Sequence, residues 1–440
     1  MPHPLSRRHF LGSAAGASLA LGLNRTAAAE KPSATAAASA PITKPVSEWP
    51  LWDHRDESAL LDVLRSGRWG RTAGGAARVK EFEAAWAARM KARHCIATSS
   101  GTTALITALG ALNIGPGDEV IMPPYTFVAT FNAITASFAL PVFADSDAAS
   151  FQIDPAQMAA AITPATKLLL PVHIAGTPCD LTAIAALAKS RGITLLEDAC
   201  QAPLAEWRGQ PVGTIGLGGC FSFQASKNLT SGEGGAILTN DESFANLCYD
   251  FHTPGGAKKS TASGRGANYR LTEFQAALLL AQLTRFEAQA KTRDANAAYL
   301  SQLLSAIPGT TPAALPAGTT RSAWHLYMFR YDAAKFSGLT RAKFLAALAK
   351  EGVAASSGYT SLNTTPHVKA LAANPHYQRL YGKDKMATWL ARSQCPVNDR
   401  VVEEAVWFGQ AKLLGSRSDI ERLATTIASI QKRSGELARA

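Results

Sequence analysis

A chain of 440 residues, 47% hydrophobic and 18% charged, has an ordinary globular make-up with room for one large domain and a smaller one. Its formal charge of +11 comes from 44 Lys and Arg against 33 Asp and Glu, scattered without a long basic run; this excludes a nucleic-acid footprint and leaves a mildly basic surface suited to anionic ligands. Six cysteines with no CxxC spacing and nine histidines without paired spacing speak against a metal site and for free thiols.

The chain opens on SRRHFLGSAAGASLALGL, where Arg7 and Arg8 precede a short, weakly apolar stretch, and TAAAE supplies an A-x-A cleavage pattern ending at Ala29. This resembles a twin-arginine export signal over residues 1–29, followed by a flexible Ala/Ser/Pro leader over residues 30–48. The apolar segment is too short to anchor as a membrane span. Removal of residues 1–29 takes away three arginines and no acid, leaving +8. Export by this route implies a periplasmic or secreted protein that folds, and usually takes up a cofactor, before it crosses.

From residue 49 onward, short apolar runs alternate with helical spacing. HCIATSS reads as a strand, TTALITALGALNI as a helix that stops at GPGD, and EVIMPP, LPVFADS and ATKLLLPV as further strands. LTAIAALAKSRG reads as a helix, and ITLLEDA, GCFSF and GGAILTN as strands. Nearly continuous apolar strands separated by helices predict an α/β fold, a mostly parallel sheet covered on both faces, over residues 49–290. After residue 271 one long helical pattern links to a smaller C-terminal α/β domain over residues 291–440, with the strand HLYMFRYD and the final helix SDIERLATTIASIQK.

Ligands of such sheets sit at the carboxyl ends of the strands. SSGTTAL closes a strand and opens a helix, offering hydroxyls and free N–H groups to an anion, although Ser or Thr before a helix is also an ordinary cap. ITLLEDACQ ends a buried strand with Glu197 and Asp198, which must face opposite ways, so one addresses a ligand and the other is free for a structural ion pair. FSFQASKNLTSGEGGAI sets Lys227 on a loop after a strand, where a solvated lysine is the bland alternative. Pyridoxal phosphate needs all three together. A lysine condenses with its aldehyde, a carboxylate keeps its ring nitrogen protonated, and a helix end holds its phosphate.

From Trp52 to the C-terminus the sequence resembles the DegT/StrS-type pyridoxal-phosphate-dependent sugar aminotransferases, within the fold-type-I transferases. The motifs that carry the resemblance are SSGTTAL, GPGDEVIMPPYTFVAT, ITPATKLLLPVHIAG, LLEDACQA, FSFQASKN, GEGGAILTN and ANYRLTEFQAALLLAQL. It implies that Lys227 bonds the cofactor and shuttles a proton, that Asp198 binds the ring nitrogen, that Phe127 stacks on the ring and that Gln201 sits by the ring hydroxyl. Gly101, Thr102 and Ser222 would bind the phosphate, with Asn268 reaching it from the partner of a homodimer.

Retention of Lys227, where a dehydrating branch has histidine, implies ping-pong transamination from glutamine or glutamate to a keto-sugar or keto-cyclitol. His325 is expected near the acceptor, Trp69 at the site mouth and Tyr359 in a segment that varies with substrate. WFGQAKLLG departs from the Leu-Pro pair common in nucleotide-sugar enzymes. Together with export, that favours a free, scyllo-inosose-like acceptor, as in glutamine:scyllo-inositol aminotransferase-like proteins. A nucleotide-sugar aminotransferase, and a cofactor-binding sensor without turnover, are the alternatives.

Overall fold

The computed structural model describes residues 49–253 and 264–439. The export signal expected over residues 1–29 and the leader to residue 48 lie outside the described residues. Among the described residues no helix is long and apolar enough to cross a membrane.

The apolar runs become β1 (His94–Thr98), β2 (Glu119–Met122), β3 (Leu140–Phe143), β4 (Thr166–Leu169) and β5 (Thr194–Asp198). A two-stranded ribbon, β6 (Glu206–Trp207) and β7 (Gln210–Pro211), precedes β8 (Gly218–Ser222) and β9 (Gly235–Thr239). Seven of these form one sheet in the order β1-β9-β8-β5-β4-β2-β3. From β3 to β8 every neighbouring pair is parallel, and β9 runs antiparallel to both β8 and β1. The fold is therefore α/β with a mostly parallel sheet, as the alternation of strand and helix patterns predicts.

Helices α2 (Arg78–Arg89), α3 (Gly101–Ala111), α4 (Ala129–Ala136), α5 (Pro155–Ala161), α6 (Leu181–Arg191) and α7 (Glu242–His252) cover the sheet, α8 (Glu273–Ser305) leaves it, and α1 (His54–Ser66) packs on α8. Period-two alternation divides each strand between two cores. Ile96, Val120, Met122, Leu168, Leu196, Cys220 and Ile237 pack with Leu105 and Leu109 of α3, Phe131 of α4 and Phe244 of α7. Their neighbours Ala97, Phe221, Ala236 and Leu238 pack with Phe82 and Trp86 of α2 and Leu279 and Phe286 of α8, and Ile121, Leu169 and Leu195 pack with Met158 of α5 and Ile184 of α6.

The 33 residues of α8 span roughly 50 Å at 1.5 Å per residue. A capping box starts the helix, the Thr272 hydroxyl accepting from the Gln275 amide. Its far end carries Ala297, Leu300 and Leu304 into a separate core with Tyr327, Phe329, Val406 and Phe408. Those residues belong to a second sheet, built after the strands β10 (Thr310–Pro312) and β11 (Thr319–Arg321) by β12 (Leu326–Tyr331) and β13 (Ala405–Gly409). Its order is β10-β12-β13, while β11 returns to pair with β6. Short helices between residues 366 and 392 put Val368, Leu371, Tyr377 and Trp389 against the α3–α4 side of the large sheet. The strand β12 thus enters beside the carboxyl end of the large sheet, and residues just before it reach the site.

Candidate active site

Three strand exits converge on one cavity of about 530 Å³. At the end of β1, Ser100 caps α3: its hydroxyl accepts from the Thr103 amide at 3.1 Å, and the Thr103 hydroxyl accepts from the Ser100 amide at 2.9 Å. Both readings of SSGTTAL therefore hold at different residues, because the cap leaves Gly101 and Thr102 in the first turn, where amides have no intrahelical partner. Both line the cavity. Gly101 packs so closely that a Cβ there would lie 2.7 Å from the Ser222 Cβ and 2.8 Å from the Cys200 Sγ.

At the end of β5 the two carboxylates separate as alternation requires. Glu197 turns into the protein, where its Oε2 accepts from His173 Nε2 at 3.0 Å and from the Gly213 amide at 2.6 Å. Its Oε1 accepts from the amides of Ile215 and Gly216 at 2.9 and 2.8 Å. Asp198 turns to the cavity, with Oδ2 accepting from the Thr130 hydroxyl at 2.8 Å and Oδ1 from the Cys200 amide at 3.2 Å.

Beyond β8, Ser222 and Lys227 line the same cavity. Burial pushes the Lys227 amine below its usual pKa, against the opposing pull of Cys200 and Asp198. His325 Nε2 lies 3.4 Å from Lys227 Nζ. Burial, with the charges of Lys227 and Arg293, pushes this imidazole well below the ordinary histidine range. The histidine is buried at the cavity wall.

Aromatic side chains close the other wall. Phe127 is 57% exposed, an unusual state for a phenylalanine beside a cavity. Its ring lies 6.3 Å from that of Tyr359. Gln201 is buried, its Oε1 accepting from the Ala175 amide at 2.8 Å and its Nε2 donating to the Tyr359 hydroxyl at 2.9 Å. Burial pushes the Tyr359 hydroxyl up to about 12.

Gly101, Thr102, Phe127, Asp198, Gln201, Ser222, Lys227, His325 and Tyr359 thus meet in one cavity. Trp69 and Asn268 stand outside its lining. Trp69 is 52% exposed, donates from its indole to the Leu64 carbonyl at 3.2 Å and leans on Phe274; Asn268 is exposed. Thr130, Cys200 and Glu233 also line the cavity without having been singled out from the sequence. A signal existed for Thr130, which follows Phe127 at the helical spacing of three in YTFVAT.

A half-buried lysine and a carboxylate at adjacent strand ends, with a helix N-terminus opening beside them, define the site of a cofactor-dependent transferase of the α/β class. The chain belongs to the DegT/DnrJ/EryC1/StrS aminotransferase family, which residues 51–406 match. It is an aminotransferase, and the aminotransferases of this family depend on pyridoxal phosphate. An L-glutamine:2-deoxy-scyllo-inosose aminotransferase from Streptoalloteichus tenebrarius is 37% identical over 408 residues, covering 88% of this chain and 96% of the relative. A 3-amino-5-hydroxybenzoate synthase from Amycolatopsis mediterranei is 34% identical, covering 86% and 96%. The crystal structure of a 3-amino-5-hydroxybenzoic acid synthase superposes with a TM-score of 0.77 at 33% identity, covering 88% of this chain and 98% of that one.

Proposed function

We propose that the protein moves an amino group from glutamine or glutamate to a free keto-cyclitol or keto-sugar of the scyllo-inosose kind. One observation carries this reading: among the described residues that line the cavity, Lys227 is the single Lys or Arg, beside hydroxyls, amides and the carboxylates of Asp198 and Glu233. Such a lining suits an uncharged polyol, whereas the diphosphate of a nucleotide sugar calls for cationic partners. The Streptoalloteichus relative, whose name specifies glutamine and 2-deoxy-scyllo-inosose, supports it.

Pyridoxal phosphate fits the groups present. Asp198 suits the ring nitrogen and Gln201 the ring hydroxyl. The first-turn amides of Gly101 and Thr102, with the Ser222 hydroxyl, suit the phosphate, and the exposed Phe127 ring suits the aromatic face. When bound, the cofactor supplies an electron sink that divides amino transfer into two half-reactions. In each, Lys227 Nζ takes a proton from one carbon and returns it to another, and its lowered pKa keeps a share of the amine neutral for that work. In this reading residues 49–290 carry the cofactor groups, and residues 291–440 add His325 and Tyr359 on the acceptor side. Asn268 serves the site of a second copy in a homodimer. Trp69 belongs to the mouth of the assembled site.

The deciding experiment assays the purified protein with glutamine and scyllo-inosose beside a UDP-4-keto sugar. Turnover of the free ketose is expected, and turnover of the nucleotide sugar alone overturns the reading. The absorbance band of the bound cofactor is expected to shift on adding glutamine or glutamate. A band that ignores every amino donor would mark a sensor. We also propose export by the twin-arginine route to the periplasm or beyond, on the strength of SRRHFLG and the A-x-A pattern at Ala29. Replacing both Arg7 and Arg8 by lysine is then expected to leave the protein in the cytoplasmic fraction; unchanged fractionation would count against export.

A further inference from the structure

His325 and Asn228 form a directed chain behind the active-site lysine. Asn228 Nδ2 donates to the Ala323 carbonyl at 2.7 Å, and its Oδ1 lies 3.2 Å from His325 Nδ1. Turning the amide round would set its oxygen against the carbonyl oxygen, so Oδ1 is held toward the imidazole. An amide oxygen only accepts, so the hydrogen must sit on Nδ1. His325 Nε2 is then a bare lone pair, 3.4 Å from Lys227 Nζ.

The surroundings keep the ring in that state. Asn228 is 3% exposed and His325 5%, which leaves little room for water to substitute for either partner. Lys227 on one side and the fully buried Arg293 of α8 on the other disfavour a second proton on the ring. Arg293 is itself held by the Gln410 side chain through Nε at 2.9 Å and Nη2 at 2.5 Å. Asp198 and Cys200 are the other titratable groups acting on Lys227.

We infer that Asn228 and His325 are positioning residues for Lys227: Asn228 locks the Nδ1–H tautomer, so that Nε2 takes an N–H of the amine and turns the amine's lone pair toward the cavity. The opposite tautomer would donate to that lone pair and withdraw it from use. Asn228 is one residue beyond the lysine and His325 one residue before β12, so the second sheet sets the direction of a group carried by the first. The inference rests on Lys227 being the proton carrier, and it holds whichever ketone is accepted.

Long-range proton–nitrogen NMR of isotope-labelled histidine in the full chain, with and without added pyridoxal phosphate, reads the tautomer directly. His325→Gln identifies the signals. The wild type is expected to carry hydrogen on Nδ1, and hydrogen on Nε2 overturns the inference without any variant. Asn228→Gln keeps both the carbonyl acceptor and the amide donor and is expected to keep the tautomer, while Asn228→Leu releases it.

The first half-reaction is then followed across pH with whichever of glutamine or glutamate shifts the cofactor band more. Asn228→Leu is expected to slow it about tenfold, the rate equivalent of about one hydrogen bond, with an altered pH profile and an unchanged KM. Asn228→Gln is expected to recover most of the rate. A released tautomer with wild-type rate and pH profile would overturn the inference, as would equal losses in both variants. Should Asn228→Leu fail to fold, the wild-type spectrum and Asn228→Gln decide.

Discussion

Glu197 and Asp198 are adjacent carboxylates with separate work, and the separation predicts separate phenotypes. Glu197 is fully buried and collects His173 and three backbone amides. Glu197→Ala leaves all four donors unpaired and is expected to cost about 3–5 kcal/mol in urea unfolding. Asp198 has two donors and an open side. Asp198→Ala is expected to abolish transamination while the unfolding midpoint moves far less, and equal destabilisation by both would contradict the division. A third residue-scale effect concerns pH. His252 is fully buried, and burial foremost, then the charge of Arg71, pushes it down to about 4. Unfolded, it titrates near 6.5, so between about pH 6.5 and 4 the unfolded chain binds more protons than the folded one. Stability is complete above that window and falls as pH drops through it, by up to about 3 kcal/mol. His325 adds a loss of the same sign. Urea unfolding should therefore show a slope that His252→Gln makes shallower; an unchanged slope would remove His252 as its source.

Elements carry the next effects. The start of α3 divides capping from ligand contact between neighbouring residues, so its variants should divide too. Ser100→Ala removes a cap and is expected to cost about 1 kcal/mol of stability. Gly101→Ala drives a methyl against Ser222 and Cys200, and is expected to weaken pyridoxal phosphate binding well beyond its effect on stability. Dialysis against the cofactor, read by absorbance, measures this. The same helix shows what a sequence can reveal. Strands buried on both faces leave apolar runs, a cap leaves Ser-x-x-Thr, and a strand's alternation shows that only one of Glu197 and Asp198 can face a ligand. Lys227, by contrast, is an ordinary loop lysine until it is taken together with Gly101, Asp198 and the family motifs around them. The strand order, with β9 reversed between β1 and β8, has no local signature. Nor has the return of residues 366–392 to the large sheet, where short helices are placed by distant contacts through Val368, Tyr377 and Trp389. The His325–Asn228 contact joins positions 97 apart, beyond what spacing along a chain can show.

At the scale of the whole molecule, one chain brings nine expected residues to its cavity and leaves Asn268 and Trp69 on the outside. That distribution fits the homodimer with shared sites proposed above. In such a dimer a two-fold axis would make each copy both donor and receiver, so every site would take Lys227 from one copy and Asn268 from the other. Co-expression of Lys227→Ala chains with Asn268→Ala chains tests this without further structure. Pairing one chain of each kind concentrates both defects in one site and leaves the other with an intact Lys227 and an intact Asn268. With random pairing about half the dimers are mixed and each holds one restored site, so activity should return to about a quarter of wild type. If each site is instead built from a single chain, the mixture can reach only the average of the two parent variants. Separate affinity tags on the two chains allow the mixed dimer to be isolated and assayed alone. Activity above that average assigns Asn268 to the neighbouring site, and activity at the average removes it from the neighbouring site.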